Sequence, residues 1–304
     1  MKKVTVQEII NTLGNDVCQV YGTIEGKFID NLADTEHTTS TTLDWIKASN
    51  KKKKSIVEQT PALTIIVDER MEYTQNLKEQ GKTLILVKKP RNAIAKIALK
   101  FFTETHVEEG VHPTAIIHPE AVLEDGVRVG PYSVIGKAFI GANTQINSGV
   151  KIYDGVRIGA SCFIDSGVVL GGQGFGYEKD ENGNHFRFPQ IGKLIIGDHV
   201  DIGANTCIDR GALSDTIVGD YTKIDNLCHI AHNNQIGRNC VITAGTVISG
   251  SCEIGDNTWL GPNSTINNWC GVGDNCLVGI GTVVIRKIED DSRVFGVPAE
   301  KIEF

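Results

Sequence analysis

A repeat of period six predicts a mainly β chain, a parallel β-helix preceded by a small N-terminal α/β domain. Three observations carry this reading. From Val218 to Val284 an aliphatic residue returns at every sixth position without a break, through Ile224, Ile230, Ile236, Ile242, Ile248, Ile254, Leu260, Ile266, Val272 and Val278. Four residues after most of them stands something small, as at Thr222, Cys228, Cys240, Thr246, Cys252, Thr258 and Ser264. Residues 1–105 show no such repeat and carry short apolar runs instead. A helix of 3.6 residues per turn cannot keep a six-residue repeat on one face, and a hairpin strand would show a period of two. Short strands joined by tight corners, three hexads to a triangular coil, satisfy the spacing. The aliphatic residue then points into the narrow bore and the small one fills a corner.

Taken in order, the chain opens with a short helix candidate over residues 5–13, with Thr5 as a cap for Val6-Gln7-Glu8. Apolar runs at 62–67 and 83–87 read as buried strands, and residues 92–102 carry Ile94, Ile97, Ala98 and Phe101 at helical spacing. The lysines at 51–54 read either as a solvated loop or as a phosphate contact beside Trp45, a possible stacking platform. A polar, acidic junction over 103–112 then leads into the β-helix, expected over 111–290 with a short tail at 291–304.

The hexad register extends backwards from Val218 with interruptions. It runs through Ile117, Leu123, Val129 and Ile135, slips by one to Ile140, continues to Leu170, and resumes at Ile196, Ile202 and Ile208. At three hexads per coil this makes about eight coils, on the order of 40 Å of prism. Two breaks interrupt it: residues 171–194, and the stretch around Ser214 and Asp215, where Ile208 and Val218 stand ten positions apart. Loops that leave a solenoid usually sit on its working face. The first break, Gly171-Gly-Gln-Gly-Phe-Gly-Tyr and later His185-Phe-Arg-Phe, carries Phe175 and Tyr177. Its aromatics either fold over a bare flank of the prism or wall a pocket for an apolar group.

Composition excludes several classes. A net charge of −7 gives no basic footprint for nucleic acid. No apolar run approaches a membrane span and the N-terminus has no signal-like core, so a cytosolic protein without an integral membrane segment is expected. Six of the eight cysteines (162, 228, 240, 252, 270 and 276) occupy the small fifth slot of the hexad. They read as buried filler in a reducing compartment, not as disulfides or metal ligands.

Residues one coil apart stack on a common face. The third slot of the Ile230 hexad is His232, with Gly250 and then Asn268 on the following coils and Arg210 on the preceding one. The fourth slots of that column are Gly211, Asn233, Ser251 and Trp269. A histidine titrating near neutrality suits general-base work, and a glycine can present an unobstructed N–H to a developing oxyanion. A base beside an oxyanion donor suggests acyl transfer from a thioester to an amine or hydroxyl. Asp225 and Asn226 either orient His232 or bind substrate, while His229 faces elsewhere. Prism faces this apolar also predict self-association with closed rotational symmetry.

The segments Ile208-Asp-Arg-Gly-Ala-Leu-Ser-Asp-Thr-Ile and Ile224-Asp-Asn-Leu-Cys-His-Ile-Ala-His-Asn closely resemble the UDP-3-O-acylglucosamine N-acyltransferase family of lipid A biosynthesis, as do Gly174-Phe-Gly-Tyr and Pro189-Gln-Ile-Gly. The resemblance covers nearly the whole chain. It implies a left-handed β-helix, a homotrimer with sites between neighbouring prisms, His232 as base, Gly250 as oxyanion donor, and an N-terminal domain that holds the uracil. It implies no cofactor beyond the acyl thioester itself, carried on acyl carrier protein. Two departures stand out: the chain stops at Phe304, with a tail more similar to small sugar acetyltransferases that use coenzyme A, and Trp269 replaces a second histidine found in some relatives. The alternative is therefore a coenzyme A-dependent N-acyltransferase acting on another nucleotide-linked amino sugar. Zinc lyases of the carbonic anhydrase kind share the repeat but need three converging histidines, and His229 and His232 point in different directions.

Overall fold

The computed structural model describes residues 3–33, 37–103, 109–298 and 300–301. The chain divides into two compact units, Met1–Thr105 and His106–Phe304.

The first unit is a four-stranded sheet between helices. Its order is Val17–Tyr21, Thr83–Val87, Thr64–Asp68 and Leu43–Trp45, the first pair antiparallel and the others parallel. The two central strands are buried at every position, which is why they read as unbroken apolar runs. Their alternation builds two cores. Ile66 and Ile85 pack with Val6, Ile9, Leu13, Ala93 and Ile97 of the helices Val6–Leu13 and Pro90–Ile97. Ile65, Val67, Leu84 and Leu86 face Val57 and Leu77 on the other side. Thr5 caps the first helix through a capping box: the Glu8 N–H donates to Thr5 Oγ1 at 3.2 Å, and the Thr5 N–H donates to Glu8 Oε2 at 2.8 Å. The lysine run is split: Lys51 and Lys52 form an exposed turn, as the solvated reading expects, and the other two are paired. It enters the helix Lys53–Gln59, with Lys53 on the buried Asp68 at 2.5 Å and Lys54 on Glu72 at 3.0 Å. Trp45 is half-buried and packs against the first of these cores.

The second unit is a parallel β-helix of two- to four-residue strands stacked into three faces. Among the described residues the first face has nine strands, from Ile116–Ile117 to Val283–Val284. The second has eight, from Val122–Leu123 to Gly271–Val272. The third has ten, beginning at Arg128–Val129 and closed by the antiparallel Glu300–Lys301. From Val129 onwards the register aliphatics are buried in one continuous core, each contributing about 1.5–3 kcal/mol relative to exposure. The slip at Ile140 is absorbed in the corner, because Phe139–Ile140 still pairs in step with Val122–Leu123. The coils also run past the expected end at 290. Arg293–Phe295 is a strand of the third face, since Ile288 bridges to Val272 and restores the register for Val294.

The small fifth slots do more than fill space. Thr222 Oγ1 donates to Gly237 O at 2.9 Å and accepts the Cys240 N–H at 3.1 Å, while the Cys240 thiol donates to Gly255 O at 3.1 Å. Repeated along the corners, these bonds satisfy backbone groups that a purely apolar filler would strand. The cysteines are free, and burial pushes their thiols up, Cys252 to about 11. One corner, between the second and third faces, is laced by aspartates. Ala160 N–H donates to Asp198 Oδ1 at 2.7 Å, Arg238 N–H to Asp256 Oδ1 at 2.7 Å, and Asp256 N–H to Asp274 Oδ1 at 2.7 Å.

Candidate active site

Both breaks in the repeat meet at the corner between the first and second faces. The loop 171–194 leaves the strand Val169–Gly172, forms an antiparallel hairpin of Tyr177–Lys179 with His185–Arg187, and returns at Leu194–Ile196. Its return segment zips onto the second break. The Ile191 N–H donates to Ala212 O at 2.7 Å, Thr216 N–H to Lys193 O at 2.9 Å, and Lys193 N–H to Asp215 Oδ1 at 2.7 Å. His232 stands beside this junction on the next coil.

The imidazole of His232 lies between two glycines. A Cβ on Gly250, one coil on, would stand 2.7 Å from His232 Cε1 and 2.9 Å from Nε2. A Cβ on Gly174, from the loop, would stand 2.8 Å from His232 Cβ and 2.9 Å from Cδ2. Real side chains do not approach so closely, so glycine at both positions is what lets the ring lie there. Burial lowers the His232 pKa, which keeps the ring neutral and able to accept a proton near pH 7. Its Nδ1 is buried without a partner. Unlike the aspartate-laced corner, this one leaves donors open. Among the described residues the N–H of Gly250 makes no hydrogen bond, although its carbonyl accepts from the Trp269 N–H at 3.2 Å. A neutral imidazole thus lies beside a backbone N–H that is not engaged, the two kinds of group that general-base acyl transfer uses.

The other sequence-predicted residues divide into those the structure leaves at the surface here and those committed elsewhere. Trp269 lies at the lip, 82 % exposed and in the left-handed region at φ 61. That conformation is costly for a bulky residue and leaves the indole standing free. Phe175 and Tyr177 form a tilted pair with centroids 4.9 Å apart, and Phe175 is 85 % exposed. These rings therefore neither cover a flank nor wall an enclosed pocket within one copy; the backbone at Gly174 makes the contact with His232 instead. Arg210 is turned away from His232. Its Nε donates to Gly171 O at 3.0 Å and its Nη2 to Asp154 O, so it clamps the root of the loop. Asn233 holds the second break, its Oδ1 accepting the Ala212 N–H at 2.6 Å and its own N–H donating to Thr216 Oγ1 at 2.9 Å. Asp225 and Asn226 do not orient His232 within one copy. They lie at the opposite end of the strand His229–Ile230, where Asn226 Oδ1 accepts the Ala204 N–H at 2.6 Å and Asp225 Oδ1 the Asn226 N–H at 2.7 Å. Trp45 belongs to the other unit.

Three residues of this corner escaped the column reading. Gly174 and Gln190 sit in the loop, where coil arithmetic does not apply. Gln190 is 3 % exposed, and its Oε1 lies 2.8 Å from the Cβ position of Gly174. Asp209, in the strand Cys207–Asp209, is half-buried beneath Gly172, and burial pushes its carboxyl up to about 6. Among the described residues its side chain makes no hydrogen bond or ion pair. The Asp-Arg-Gly motif was the available signal for it.

Comparison with known proteins agrees with this architecture. The family model of the bacterial transferase hexapeptide (six repeats) matches residues 137–172 and 215–250, and the hexapeptide repeat of succinyl-transferase matches 253–286. Over these residues the chain is similar to hexapeptide-repeat transferases. Within that class its curated relatives are UDP-3-O-acylglucosamine N-acyltransferases. That of Coxiella burnetii (strain RSA 493 / Nine Mile phase I) is 35% identical over 222 residues, covering 67% of this chain and 64% of its own length. That of Pseudomonas syringae pv. tomato is 39% identical over 179 residues, covering 53% of this chain and 51% of its own. The chain therefore spans just under two thirds of the Coxiella relative's length and about half of the other's. Among solved structures, the UDP-N-acetylglucosamine O-acyltransferase of Moraxella catarrhalis aligns with a TM-score of 0.60 at 26% identity, covering 64% of this chain and 74% of that one. No helix among the described residues is long and apolar enough to cross a membrane.

Proposed function

We propose that the chain is an N-acyltransferase that moves an acyl group from a thioester to the amine of a UDP-3-O-acylglucosamine-like nucleotide sugar, a step of lipid A synthesis. One observation carries the reading: the His232 ring lies directly over Gly250, with the open N–H of Gly250 beside it. The names of the curated relatives supply the substrate class. In the proposed step His232 Nε2 takes a proton from the sugar amine as its nitrogen attacks the thioester carbonyl carbon. The carbonyl oxygen, now carrying the negative charge, accepts from the Gly250 N–H. The C–S bond then breaks, and the imidazolium returns the proton to the leaving thiolate. Acyl carrier protein is the proposed donor carrier, and no further cofactor takes part. The exposed rings of Trp269, Phe175 and Tyr177 would contact the acceptor or acyl chain, and Trp45 would stack on uracil. The working form would be a homotrimer in the cytoplasm. Asp225 and Asn226, at the far end of the strand from His232, could then join a site only from a neighbouring copy. A donor screen tests the assignment: acyl carrier protein and coenzyme A thioesters of several chain lengths, offered with UDP-3-O-acylglucosamine. Turnover with the carrier-protein thioesters supports it. Turnover only with coenzyme A donors, or only on another amino sugar, replaces it.

A further inference from the structure

Two buried polar atoms in this corner lack partners, and both belong to residues packed on Gly174. One is Gln190 Oε1, the other His232 Nδ1. Gln190 is almost wholly enclosed at 3 % exposure. Its amide is held in orientation, because Nε2 donates to Phe188 O at 3.4 Å and lies 3.0 Å from the Cβ position of Gly176. Oε1 is thereby aimed at Gly174, and the same point in space lies 2.8 Å from Oε1, 2.8 Å from His232 Cβ and 2.9 Å from His232 Cδ2. An enclosed acceptor and an enclosed ring nitrogen, each left unsatisfied, cost about 1–3 kcal/mol apiece.

A half-turn of the imidazole about Cβ–Cγ is nearly isosteric and exchanges Cδ2 with Nδ1. It brings Nδ1 to the side of the ring that faces Gln190. It also leaves Nε2 over Gly250, because Cε1 and Nε2 stand almost equally close to that glycine, at 2.7 and 2.9 Å. We infer that Gln190 is a positioning residue for His232, its Oε1 accepting from Nδ1–H so that Nε2 carries the lone pair that takes the substrate proton. One hydrogen bond satisfies both orphaned atoms and selects the tautomer that a base at Nε2 requires. Asn233 and Arg210, the polar neighbours on the same column, are engaged elsewhere, Asn233 on Ala212 and Arg210 on the loop root. The loop then enters the catalytic apparatus through a carboxamide. The inference rests on His232 acting as the base in the proposed transfer.

The test reads the imidazole itself. The full-length protein, labelled with 15N at histidine, is compared with Gln190→Leu and Gln190→Glu, and the His232 signals are assigned by their loss in His232→Gln. The neutral ring of the unmodified protein is expected to carry its proton on Nδ1, and Gln190→Glu, still an acceptor, to preserve this. Gln190→Leu is expected to shift the proton towards Nε2 and to lower kcat at least about tenfold with little change in KM, because a base in the wrong tautomer has no free lone pair at Nε2. A proton on Nε2 in the unmodified protein overturns the inference, whatever the variants do. So does an unchanged tautomer in Gln190→Leu. The spectrum needs no substrate, so an Nδ1–H ring in a protein that transfers no acyl group would sustain the positioning role while removing the acyl-transfer reading.

Discussion

Replacing Gly250 by alanine separates the two parts that this glycine plays. The N–H remains, so the oxyanion donor is kept. The new methyl would stand 2.7 Å from His232 Cε1 and 2.9 Å from Nε2, closer than carbon contacts allow, and a tight 3.3 Å from Nδ1. The ring is held from the other side by Gly174, so it cannot simply lift; it must tilt or slide by something on the order of 1 Å. A displacement of that size at a reacting group costs about 10²-fold in rate, or about 2.7 kcal/mol of barrier. The fold should not suffer, because Gly250 lies outside the left-handed region and alanine restricts the unfolded chain. The assay pairs steady-state kcat with thermal melting for the unmodified protein and Gly250→Ala. The expected outcome is a rate lower by about two orders of magnitude with an unchanged or slightly higher Tm. A variant with unimpaired kcat would refute the claim that the ring works from its position over Gly250.

Other outcomes follow from the same geometry. His232→Ala should lower kcat by about 10²–10⁴-fold without changing the assembly, measured by steady-state kinetics and light scattering, whereas His229→Ala should cost far less. Because burial lowers the His232 pKa, kcat/KM should rise with pH through a midpoint below the ordinary histidine value and be flat from pH 7 to 8; a midpoint above 7 would contradict the environment described. Asp209 binds its proton more tightly when folded, near 6 against an ordinary 3.8, so the folded protein loses stability as pH rises from about 4 to 6. Asp209→Asn should accordingly raise Tm at pH 8, with the advantage shrinking to nothing near pH 4. Light scattering at micromolar protein should give three times the chain mass, and a monomer would exclude a site completed by a second copy.

The β-helix was legible because its constraint is periodic. A bore that admits one aliphatic side chain per strand writes its spacing directly into Ile224, Ile230 and Ile236, and stacking arithmetic then put His232 over Gly250 without a structure. The same arithmetic could not say where a long side chain turns. Arg210 shares the column, yet its guanidinium reaches back to the carbonyls of Gly171 and Asp154 at the root of the loop. Nor could it cross residues 171–194, where Gly174 and Gln190 approach the site through a segment with no period. In the first unit, the buried strands Thr64–Asp68 and Thr83–Val87 were visible as apolar runs, while Val17–Tyr21 was not. That edge strand buries only part of its surface, so its sequence carries Cys18 and Gln19 where a central strand would carry aliphatics. The lysine run misled in part for a different reason: the partner of Lys53 is the buried Asp68, which becomes its neighbour only once the strand Thr64–Asp68 is placed in the sheet.

The central claim is that this chain forms an amide at a site built on His232. The direct measurement is mass spectrometry of the acceptor after incubation of the purified protein with UDP-3-O-acylglucosamine and an acyl carrier protein thioester, run in parallel for His232→Ala. The account predicts an acceptor heavier by one acyl group, N-linked by fragmentation, appearing with the unmodified protein and slowed by about 10²–10⁴-fold in the variant. Acylation at a hydroxyl, or an amide formed equally fast without the His232 ring, would contradict it.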